Sequence, residues 1–372
     1  MLHEEVLDSV ESMVALDAGD MLAATASAGA QIRRSLASVD RDAIAAVASA
    51  GRPRSVLVTG MGGSGISGQI LEAIANTCSG IPVVSSRGYG LPAWVGGDDL
   101  VVSLSCSGST EETIAAAQEA ARRGCRLAAI STPGSPLAHF TETVRGATLI
   151  GIDAQGLMPR ASMWTLLTPL MLIGHAVGAV RLVDSDLQQA ADIIDEVGRD
   201  CAVARPIDEN PAKLLALQLA SSLPMIWGTG EIGPVASYRL ISQLAENAKL
   251  PAIHGEIPES QHNQVVVLDG PFAGGVDLDH EYSESERRFR LVLLRDSVEH
   301  PQMAKRAEIV TEIAQRRSVP VTEVTARGLH IVHRLASLVA VTDWASVYAA
   351  LAQEIDPSPI GPITELKSRL TA

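Results

Sequence analysis

Short apolar runs alternate along the chain with longer segments in which apolar residues recur every three or four positions. The short runs predict strands buried on both faces, and the longer segments predict helices that cover them. Between residues 55 and 152 the predicted strands are SVLVTG, IPVVSS, LVVSLS, RLAAIST and ATLIGI. This alternation predicts an α/β fold with a doubly wound parallel sheet between two layers of helices.

A polar helical stretch over residues 184–205 interrupts the pattern, which resumes at residue 223. Strands of a second sheet are predicted at LPMIWG, NQVVVLDG, RFRLVLLRD and VPVTEVTA. We therefore expect two N-terminal helices within residues 1–50, a first α/β domain over 51–184 and a second over 208–372. The glycine-rich and acidic segment 271–287 is predicted as an exposed loop.

Composition narrows the class of protein. Hydrophobic residues make up 47% and aromatic residues 3%, so the core consists mainly of small aliphatic side chains. The net charge of −14 argues against a nucleic-acid partner. The apolar window 164–180 contains Pro169 and His175 and is too short for a membrane span. The acidic N-terminus is unlike a signal peptide, and the four cysteines have no metal-binding spacing. A cytoplasmic protein without metal or membrane contact is expected.

The run VLVTGMGGSGISG leads from a strand through a glycine-rich loop into a helix, which is a geometry that holds anions. Its spelling also fits the dinucleotide motif G-x-G-x-x-G. An NAD site would need an acid at the end of the next strand, but Ser85, Ser86 and Arg87 stand there. Arg87 could instead meet the 2′-phosphate of NADP, so an NADP-dependent oxidoreductase is one alternative.

The third predicted strand ends in SCSGSTEET, where hydroxyl groups crowd one strand-to-helix turn. Capping the next helix requires a single hydroxyl, whereas Ser105, Ser107, Ser109 and Thr110 are all present. Loops that follow neighbouring parallel strands meet at one edge of the sheet, so Ser64 is expected to face this turn. Two converging hydroxyl loops favour one phosphate monoester. The second half lacks such a turn, which predicts one phosphate site per chain.

Taken together, these loops and later motifs resemble the bifunctional phosphoglucose/phosphomannose isomerases of the sugar isomerase (SIS) superfamily. The resemblance extends from about residue 50 to the C-terminus through MPRA, YRLISQLAENAKLPA, QHNQ, LLRDSVEHPQMAKR and DPSPIGPITELKSRL. It implies two SIS domains, each a flavodoxin-like parallel sheet flanked by helices, and a homodimer. The implied reaction interconverts aldose and ketose 6-phosphates through a cis-enediol, without metal or nucleotide cofactor.

The resemblance also implies roles for individual residues. Glu246 in LAENAK matches the base that moves the proton between C1 and C2, and His262 in QHNQ matches the acid/base that opens the sugar ring. Arg160 in MPRA matches the group that steadies the enediolate, and Lys367 in ELKSRL is a further substrate contact. The implied phosphate ligands are Gly63, Ser64, Ser105, Ser107 and Thr110. Lys249 and Arg306 are interpreted as structural ion-pair members.

Three positions depart from the family pattern. Cys106 and Ser109 replace the Tyr and Asn of the family loop SYSGNT, and Gln264 replaces the Glu of HNE. If that carboxylate raises the basicity of the histidine, this chain would isomerise slowly or act on another sugar phosphate. A sugar-phosphate-binding protein without catalysis is therefore a further alternative.

Overall fold

The computed structural model describes residues 2–273 and 288–370 and divides the chain into two compact units. The first unit consists of Ser27–Ile194 with Leu329–His333. The second consists of Met1–Ala26, Asp195–Gly328 and Arg334–Ala372. Most of the segment 271–287, predicted above as an exposed loop, lies outside the described residues.

The secondary structure alternates strands and helices through both units. The described α-helices are α1 Glu4–Leu7, α2 Val10–Leu16, α3 Met21–Ala26, α4 Ala28–Ser38, α5 Arg41–Ser49, α6 Gly62–Cys78, α7 Glu111–Arg122, α8 Pro136–Thr143, α9 Met163–Ala176, α10 Asp184–Asp200, α11 Pro211–Ala220, α12 Gly233–Gln243, α13 Pro301–Arg316, α14 Ile331–Leu351 and α15 Gly361–Leu370. The described strands are β1 Val56–Thr59, β2 Val83–Ser86, β3 Leu100–Ser105, β4 Arg126–Ser131, β5 Thr148–Gly151, β6 Leu223–Gly228, β7 Ile253–Glu256, β8 Phe289–Arg295 and β9 Val321–Thr325.

In the first unit, five strands form a sheet in the order β2-β1-β3-β4-β5, and every adjacent pair is parallel. Every residue of β1 and β3 is buried, which explains why both strands are nearly continuous apolar runs; two of their polar members, Thr59 and Ser103, bond to each other at 3.0 Å. Helices α7 and α8 pack on one face through an apolar cluster that includes Leu57, Val101, Ala116 and Leu137. Helices α6 and α9 pack against each other, and α6 contacts β1 and β2. The predicted parallel α/β fold is thereby confirmed for this half.

The amino-terminal edge of this sheet is held by the buried carboxylate of Asp99, one residue before β3. It accepts hydrogen bonds from Arg54 Nε (2.9 Å), Ser55 Oγ (2.8 Å) and the Gly96 N–H (2.8 Å). The hydrogen bond from Arg54 is the main reason that the pKa of Asp99 falls to about 2, although burial opposes the shift. This ion pair joins the residues that immediately precede β1 and β3.

In the second unit the strand order is β7-β6-β8-β9, again all parallel. One strand prediction was wrong, because Gln264–Asp269, within the run NQVVVLDG, forms a 3₁₀ turn. The place beside β6 belongs instead to β7, which the apolar pattern did not mark. Val266 is 68% exposed. Its preference for β-strands depends on packing in a sheet, and this position offers none.

The N-terminal region also differs from the prediction of two helices, since residues 4–49 contain five short ones. Polar caps divide them. The Ser9 hydroxyl accepts the N–H of Ser12 in α2, and the Asp17 carboxylate accepts the N–H groups of Met21 and Leu22 at the start of α3. Asp40 caps α5 in the same way.

Helix α9 contains the most apolar part of the chain and is buried, as predicted. Across the described residues, no helix has both the length and the hydropathy that a membrane span requires.

Candidate active site

The loop after β1 brings three segments of the first unit into close contact through its glycines. A Cβ atom added to Gly60 would lie 3.1 Å from both the Leu104 carbonyl oxygen and the Ser64 Cβ. A Cβ on Gly63 would lie 2.8 Å from the Pro159 carbonyl oxygen. Helix α6 therefore begins in contact with the end of β3 on one side and with the segment that carries Arg160 on another.

The hydroxyl-rich loop after β3 is ordered by its own side chains. Ser105 Oγ lies 3.0 Å from Thr110 Oγ1 and accepts the Gly108 N–H at 3.0 Å. Ser107 Oγ accepts the N–H and the hydroxyl of Ser109 at 3.3 and 3.0 Å. Ser105 is 1% exposed, whereas Ser107 lies at the surface. The hydroxyl groups of this loop thus range from buried, at Ser105, to solvent-exposed, at Ser107. This arrangement suits a charged ligand that enters from solvent.

The start of α7 shows that this loop is more than a helix cap. Thr110 occupies the N-cap position, but its side chain makes no capping hydrogen bond and is directed instead to Ser105. Helix α6 likewise begins without a side-chain cap. Two helix N-termini therefore present backbone N–H groups near one another, with the partial positive charge that attracts phosphate.

Cys106, one departure from the family loop, is a packing residue. Its side chain is buried, with Sγ 3.4 Å from Ser162 Oγ, and its carbonyl accepts the Thr132 hydroxyl at 2.7 Å. Burial raises the pKa of the Cys106 thiol, so the sulfur stays protonated at neutral pH. The position lies beneath the hydroxyl loop, where a neutral side chain fits.

Arg160 lies on the 3₁₀ turn Pro159–Ala161 and is only 3% exposed. Two contacts hold the turn: Pro159 packs on Gly63, and the adjacent Ser162 contacts Cys106. A buried glutamine that the sequence analysis did not single out adds a third, since Gln31 Nε2 donates to the Ala161 carbonyl at 2.8 Å. The first unit thus brings Arg160 beside the loops that carry Gly63, Ser64, Ser105, Ser107 and Thr110.

In the second unit, half-buried Glu246 lies on the π-helical turn Leu244–Ala248. Lys249 ends the turn in a left-handed conformation (φ 56°), and its Nζ donates to the Glu246 carbonyl at 2.6 Å. Asn247 Nδ2 anchors the turn to Ser346 Oγ at 2.9 Å. Single π turns are frequent at functional sites, and no pattern along the chain marks this one.

Glu246 opens onto an apolar depression of about 670 Å³. Lys249 and Pro251 line one part of it, and the segment Pro359–Ile363 lines the other. Glu246 thus shares this depression with apolar residues at and just before the start of α15. Lys367 lies further along that helix, which is exposed throughout its length.

His262 is exposed and follows the 3₁₀ turn Glu259–Gln261. Gln264 is the third position that departs from the family pattern, and its side chain makes two hydrogen bonds to other residues. Its Oε1 accepts the Trp227 indole N–H at 2.9 Å, and its Nε2 donates to the His254 carbonyl at 3.0 Å. The amide therefore links the turn to β6 and β7, and its two polar groups are engaged there.

The second unit repeats the strand–glycine–helix form after β6, but the space is closed. A Cβ on Gly228 would lie 2.0 Å from the Gly233 carbonyl carbon. Asp296, at the position after β8 that corresponds to the hydroxyl loop after β3, donates its N–H to Thr229 Oγ1 (3.2 Å). Its carboxylate accepts Arg334 Nε at 2.6 Å. A carboxylate of the chain itself occupies this edge; one phosphate site per chain stays a prediction.

Asp186, His330 and His333 of the first unit bring ligand-type atoms within 4.8 Å of one another. Their hydrogen bonds oppose metal binding. The Nδ1 atoms of His330 and His333 accept backbone N–H groups at 3.3 and 3.4 Å. Their protons are therefore on Nε2, where they face the carbonyls of Arg181 and Asp186. A metal would need the lone pair of an imidazole nitrogen, but the Nδ1 lone pairs accept backbone N–H groups and the Nε2 atoms carry protons. We therefore assign no metal to this group.

Comparison with known proteins shows the family of the chain. Residues 52–174 match the family described as "SIS domain", and residues 208–370 match "Bacterial phospho-glucose isomerase C-terminal SIS domain". A bifunctional phosphoglucose/phosphomannose isomerase from Caldicellulosiruptor bescii is 31% identical over 315 residues, which is 85% of this chain and 89% of that protein. The chain belongs to the bifunctional phosphoglucose/phosphomannose isomerase family. A member from Thermoplasma acidophilum is 27% identical over 85% of this chain and 90% of its own length.

Solved structures support the SIS fold of this isomerase family member. A hypothetical protein from Thermus thermophilus aligns with a TM-score of 0.71 at 17% identity, over 99% of this chain and 94% of the other. The tagatose-6-phosphate ketose/aldose isomerase of Escherichia coli aligns with a TM-score of 0.69 at 13% identity, over 91% and 94%. At these identities the likeness concerns the fold alone.

Proposed function

We propose that this enzyme interconverts glucose 6-phosphate and mannose 6-phosphate with fructose 6-phosphate through a cis-enediol. The observation that carries the proposal is the hydroxyl loop: Ser105 and Thr110 lie 3.0 Å apart, at the uncapped start of α7 and beside the glycine turn of α6. The relatives named above are isomerases of phosphorylated glucose and mannose, which supports the same substrate class.

The phosphate would be bound by neutral groups. Ser64, Ser105, Ser107 and Thr110 supply hydroxyls, and the backbone around Gly63 supplies N–H donors at a helix N-terminus. Such a site binds a dianion through local geometry, which matters because the net charge of the chain is −14. The phosphate would hold every substrate at the same point. Within the site, glucose 6-phosphate and mannose 6-phosphate would then differ only at the reacting carbons.

Glu246 would act as the base that transfers the proton between C1 and C2. Arg160 would stabilise the negative charge on the enediolate oxygen, and its burial would strengthen that interaction. Lys367 is proposed as a further substrate contact. No resident metal or cofactor is required, because each step moves a proton between side chains and the sugar.

His262 would open the ring by moving a proton between the ring oxygen and O1. A neutral imidazole suits this exchange at physiological pH. Gln264 does not weigh against this role, since its amide serves the contact with Trp227 and His254. The replacement of the family acid at 264 therefore supplies no structural reason to expect lost catalysis.

The alternative of an NADP site has little support. Arg87 NH2 donates to Gln69 Oε1 at 2.7 Å, and a Cβ added to Gly65 would lie 2.7 Å from Arg87 Nε. The guanidinium therefore packs against the first turns of α6, in space that a dinucleotide would have to share.

Proton exchange at the reacting carbons tests the proposal directly. Purified protein should catalyse exchange of the C1 and C2 protons of fructose 6-phosphate with deuterated solvent, and a coupled assay should detect both aldose phosphates. Tight binding of the ketose phosphate without any exchange would contradict catalysis and indicate a sugar-phosphate-binding protein. Binding of NADP in place of the sugar phosphate would contradict the substrate class.

We further propose that the enzyme works as a homodimer in the cytoplasm. Helix α15 supports the dimer, because Ile363, Leu366 and Leu370 are 37%, 59% and 68% exposed at a helical spacing. The four cysteines are free, as in reducing compartments. Sedimentation velocity at several concentrations would test the assembly, and a monomer throughout would contradict it.

A further inference from the structure

The short turn that precedes His262 is anchored by its side chains. Ser260, which is 1% exposed, donates its hydroxyl to the Glu256 carbonyl at 2.6 Å. Glu259 accepts the side-chain amide of Asn263 at 2.8 Å. The His262 N–H closes the turn on the Glu259 carbonyl at 2.9 Å. The backbone at His262 is therefore fixed by its neighbours.

A fourth contact joins the turn to helix α13. Gln261 Nε2 donates to the Arg306 carbonyl on α13 at 2.8 Å, and Arg306 NH1 donates to Gln261 Oε1 at 3.2 Å. The two residues thus exchange hydrogen bonds across 45 positions of sequence. The interpretation of Arg306 as an ion-pair member was wrong within the described part of the chain, where its guanidinium bonds to a neutral amide.

The imidazole itself has no comparable support. His262 is exposed, and among residues 2–273 and 288–370 no hydrogen bond holds its ring. The position of the imidazole therefore depends on the backbone of the turn. The hydrogen bonds between Gln261 and Arg306 connect that backbone to α13. The rate of proton transfer falls steeply when a catalytic group moves by about 1 Å. A shift of the turn after loss of the Gln261–Arg306 hydrogen bonds would therefore slow the step that uses His262.

We infer that Gln261 and Arg306 are positioning residues that set His262 for ring opening. The inference rests on the proposed role of His262. The pair would act on the step that needs the imidazole and leave the C1–C2 proton transfer at Glu246 unchanged. Neither residue is proposed to contact the substrate.

Helix α13 also offers a matched control. Arg317 Nε donates to Asp269 Oδ1 at 2.5 Å, which joins the end of α13 to the end of the 3₁₀ turn Gln264–Asp269. This pair resembles the first in joining an arginine of the α13 region to the segment after β7. It lies beyond His262 in the chain and does not touch the turn Glu259–Gln261.

The test compares two ketose phosphates in deuterated solvent. Fructose 6-phosphate is mainly cyclic, whereas a 5-deoxy ketose 6-phosphate lacks the hydroxyl that closes the ring and is always open. Gln261→Leu and Arg306→Leu should each slow exchange with fructose 6-phosphate by roughly tenfold or more, with the open substrate within about twofold of wild type. Arg317→Leu should leave both rates unchanged.

Further variants separate this inference from the proposed function. His262→Ala should slow the cyclic substrate at least as much as the positioning variants, and the double variant of Gln261 and Arg306 should be no worse than either single one. If His262→Ala has no effect, the proposed role of His262 fails and this inference with it. If His262→Ala is impaired while the Gln261 and Arg306 variants behave like Arg317→Leu, only this inference is overturned. Equal loss on both substrates with a lower Tm would show a merely structural role and would also overturn it.

Discussion

Glu246 illustrates how much a single residue owes to its surroundings. Glu246 lies on a π-helical turn, in which the following residue, Asn247, is bonded to Ser346 and the end is fixed by Lys249. It borders an apolar depression and is half buried. A surface glutamate on an ordinary helix would have neither the π-helical turn nor the apolar neighbours, and the proposed role of Glu246 as a base draws on these two features.

Glu246→Gln removes the proposed proton acceptor while keeping the size of the side chain. Isomerisation should fall by at least about 100-fold, the usual contribution of a general base. Binding of fructose 6-phosphate should survive, because the hydroxyl loops lie in the other unit and are unchanged. Exchange kinetics and calorimetric titration measure the two quantities.

Glu312→Gln on the exposed face of α13 is the matched control and should behave like wild type. A Glu246→Gln variant with normal exchange would show that the base is another group.

Gln264→Glu tests the position where the chain departs from its family. A carboxylate could still accept the Trp227 N–H, but it could not donate to the His254 carbonyl. The free energy of unfolding should fall by about 1 kcal/mol, because the partly buried His254 carbonyl would lose its donor. Urea unfolding measures this change, with the exposed Gln315→Glu as control. A variant of unchanged stability and faster isomerisation would instead mean that an acid at 264 orients His262.

At the scale of the elements, the loop after β3 depends on a glycine in a left-handed conformation. Gly108 has φ 66°, and a Cβ added to it would lie 1.9 Å from Ser135 Oγ. The loop can therefore lie against the start of α8 only with glycine at this position, and that contact sets where Ser105 and Ser107 point.

Gly108→Ala should weaken binding of fructose 6-phosphate by at least about tenfold, because the loop must move to relieve the overlap. Gly134→Ala is the control: its φ is 74°, but nothing lies within 4 Å of an added Cβ. That variant carries a similar backbone strain of about 1 kcal/mol without the overlap, so its affinity should stay unchanged. Equal affinities for the two variants would contradict a tightly fitted loop.

The edge of the sheet opposite these loops depends on Asp99. Its pKa is about 2 in the folded chain, below the value of about 3.9 in an unfolded one. The ionised carboxylate therefore stabilises the fold above about pH 4, and this stabilisation is lost as the pH falls towards about 2.

Asp99→Asn should lower the free energy of unfolding at neutral pH by up to about 2 kcal/mol, with a smaller loss if solvent screens half-exposed Arg54. The difference from wild type should shrink steadily below about pH 4. Urea titrations across this range measure it, with exposed Asp98→Asn as control. A difference that is independent of pH would mean that the Arg54 pair is not its source.

At the scale of the whole molecule, the chain uses one strand arrangement twice with different outcomes. β1 and β6 each lie between a second and a third strand and each lead into a glycine turn. In the first sheet hydroxyls follow the third strand, and the edge suits an anion. In the second sheet Asp296 stands there and pairs with Arg334, so the corresponding edge is already neutralised.

Treatment with a chelator should leave kcat/KM unchanged, because the proposed chemistry uses only side-chain proton transfer and hydrogen bonds. The imidazole nitrogens of His330 and His333 are engaged with the backbone, which gives no reason to expect a metal at that group. A zinc-dependent enzyme treated in parallel confirms that the chelator works. Loss of activity that zinc restores would contradict metal-free isomerisation.

The sequence by itself determined the elements whose signal is local. Nearly continuous apolar runs predicted β1 and β3, because a strand that is buried on both faces has no solvent-facing side that would carry regularly spaced polar residues. The glycine turn and the hydroxyl loop were predictable for a similar reason, since several glycines and several hydroxyl residues lie close together in the chain where buried strands end, more than one helix cap requires. The resemblance then supplied candidate roles for Glu246, His262 and Arg160.

What the tertiary structure decided involves partners distant in the chain. NQVVVLDG has the composition of a strand, yet β7 takes the place beside β6 and the run becomes a turn. Gln264 has its function only because Trp227 and His254 lie beside it, and the Gln261–Arg306 pair spans 45 positions. Hydrogen bonds and burial depend on distance in space, so a pattern along the chain cannot reveal which residues meet.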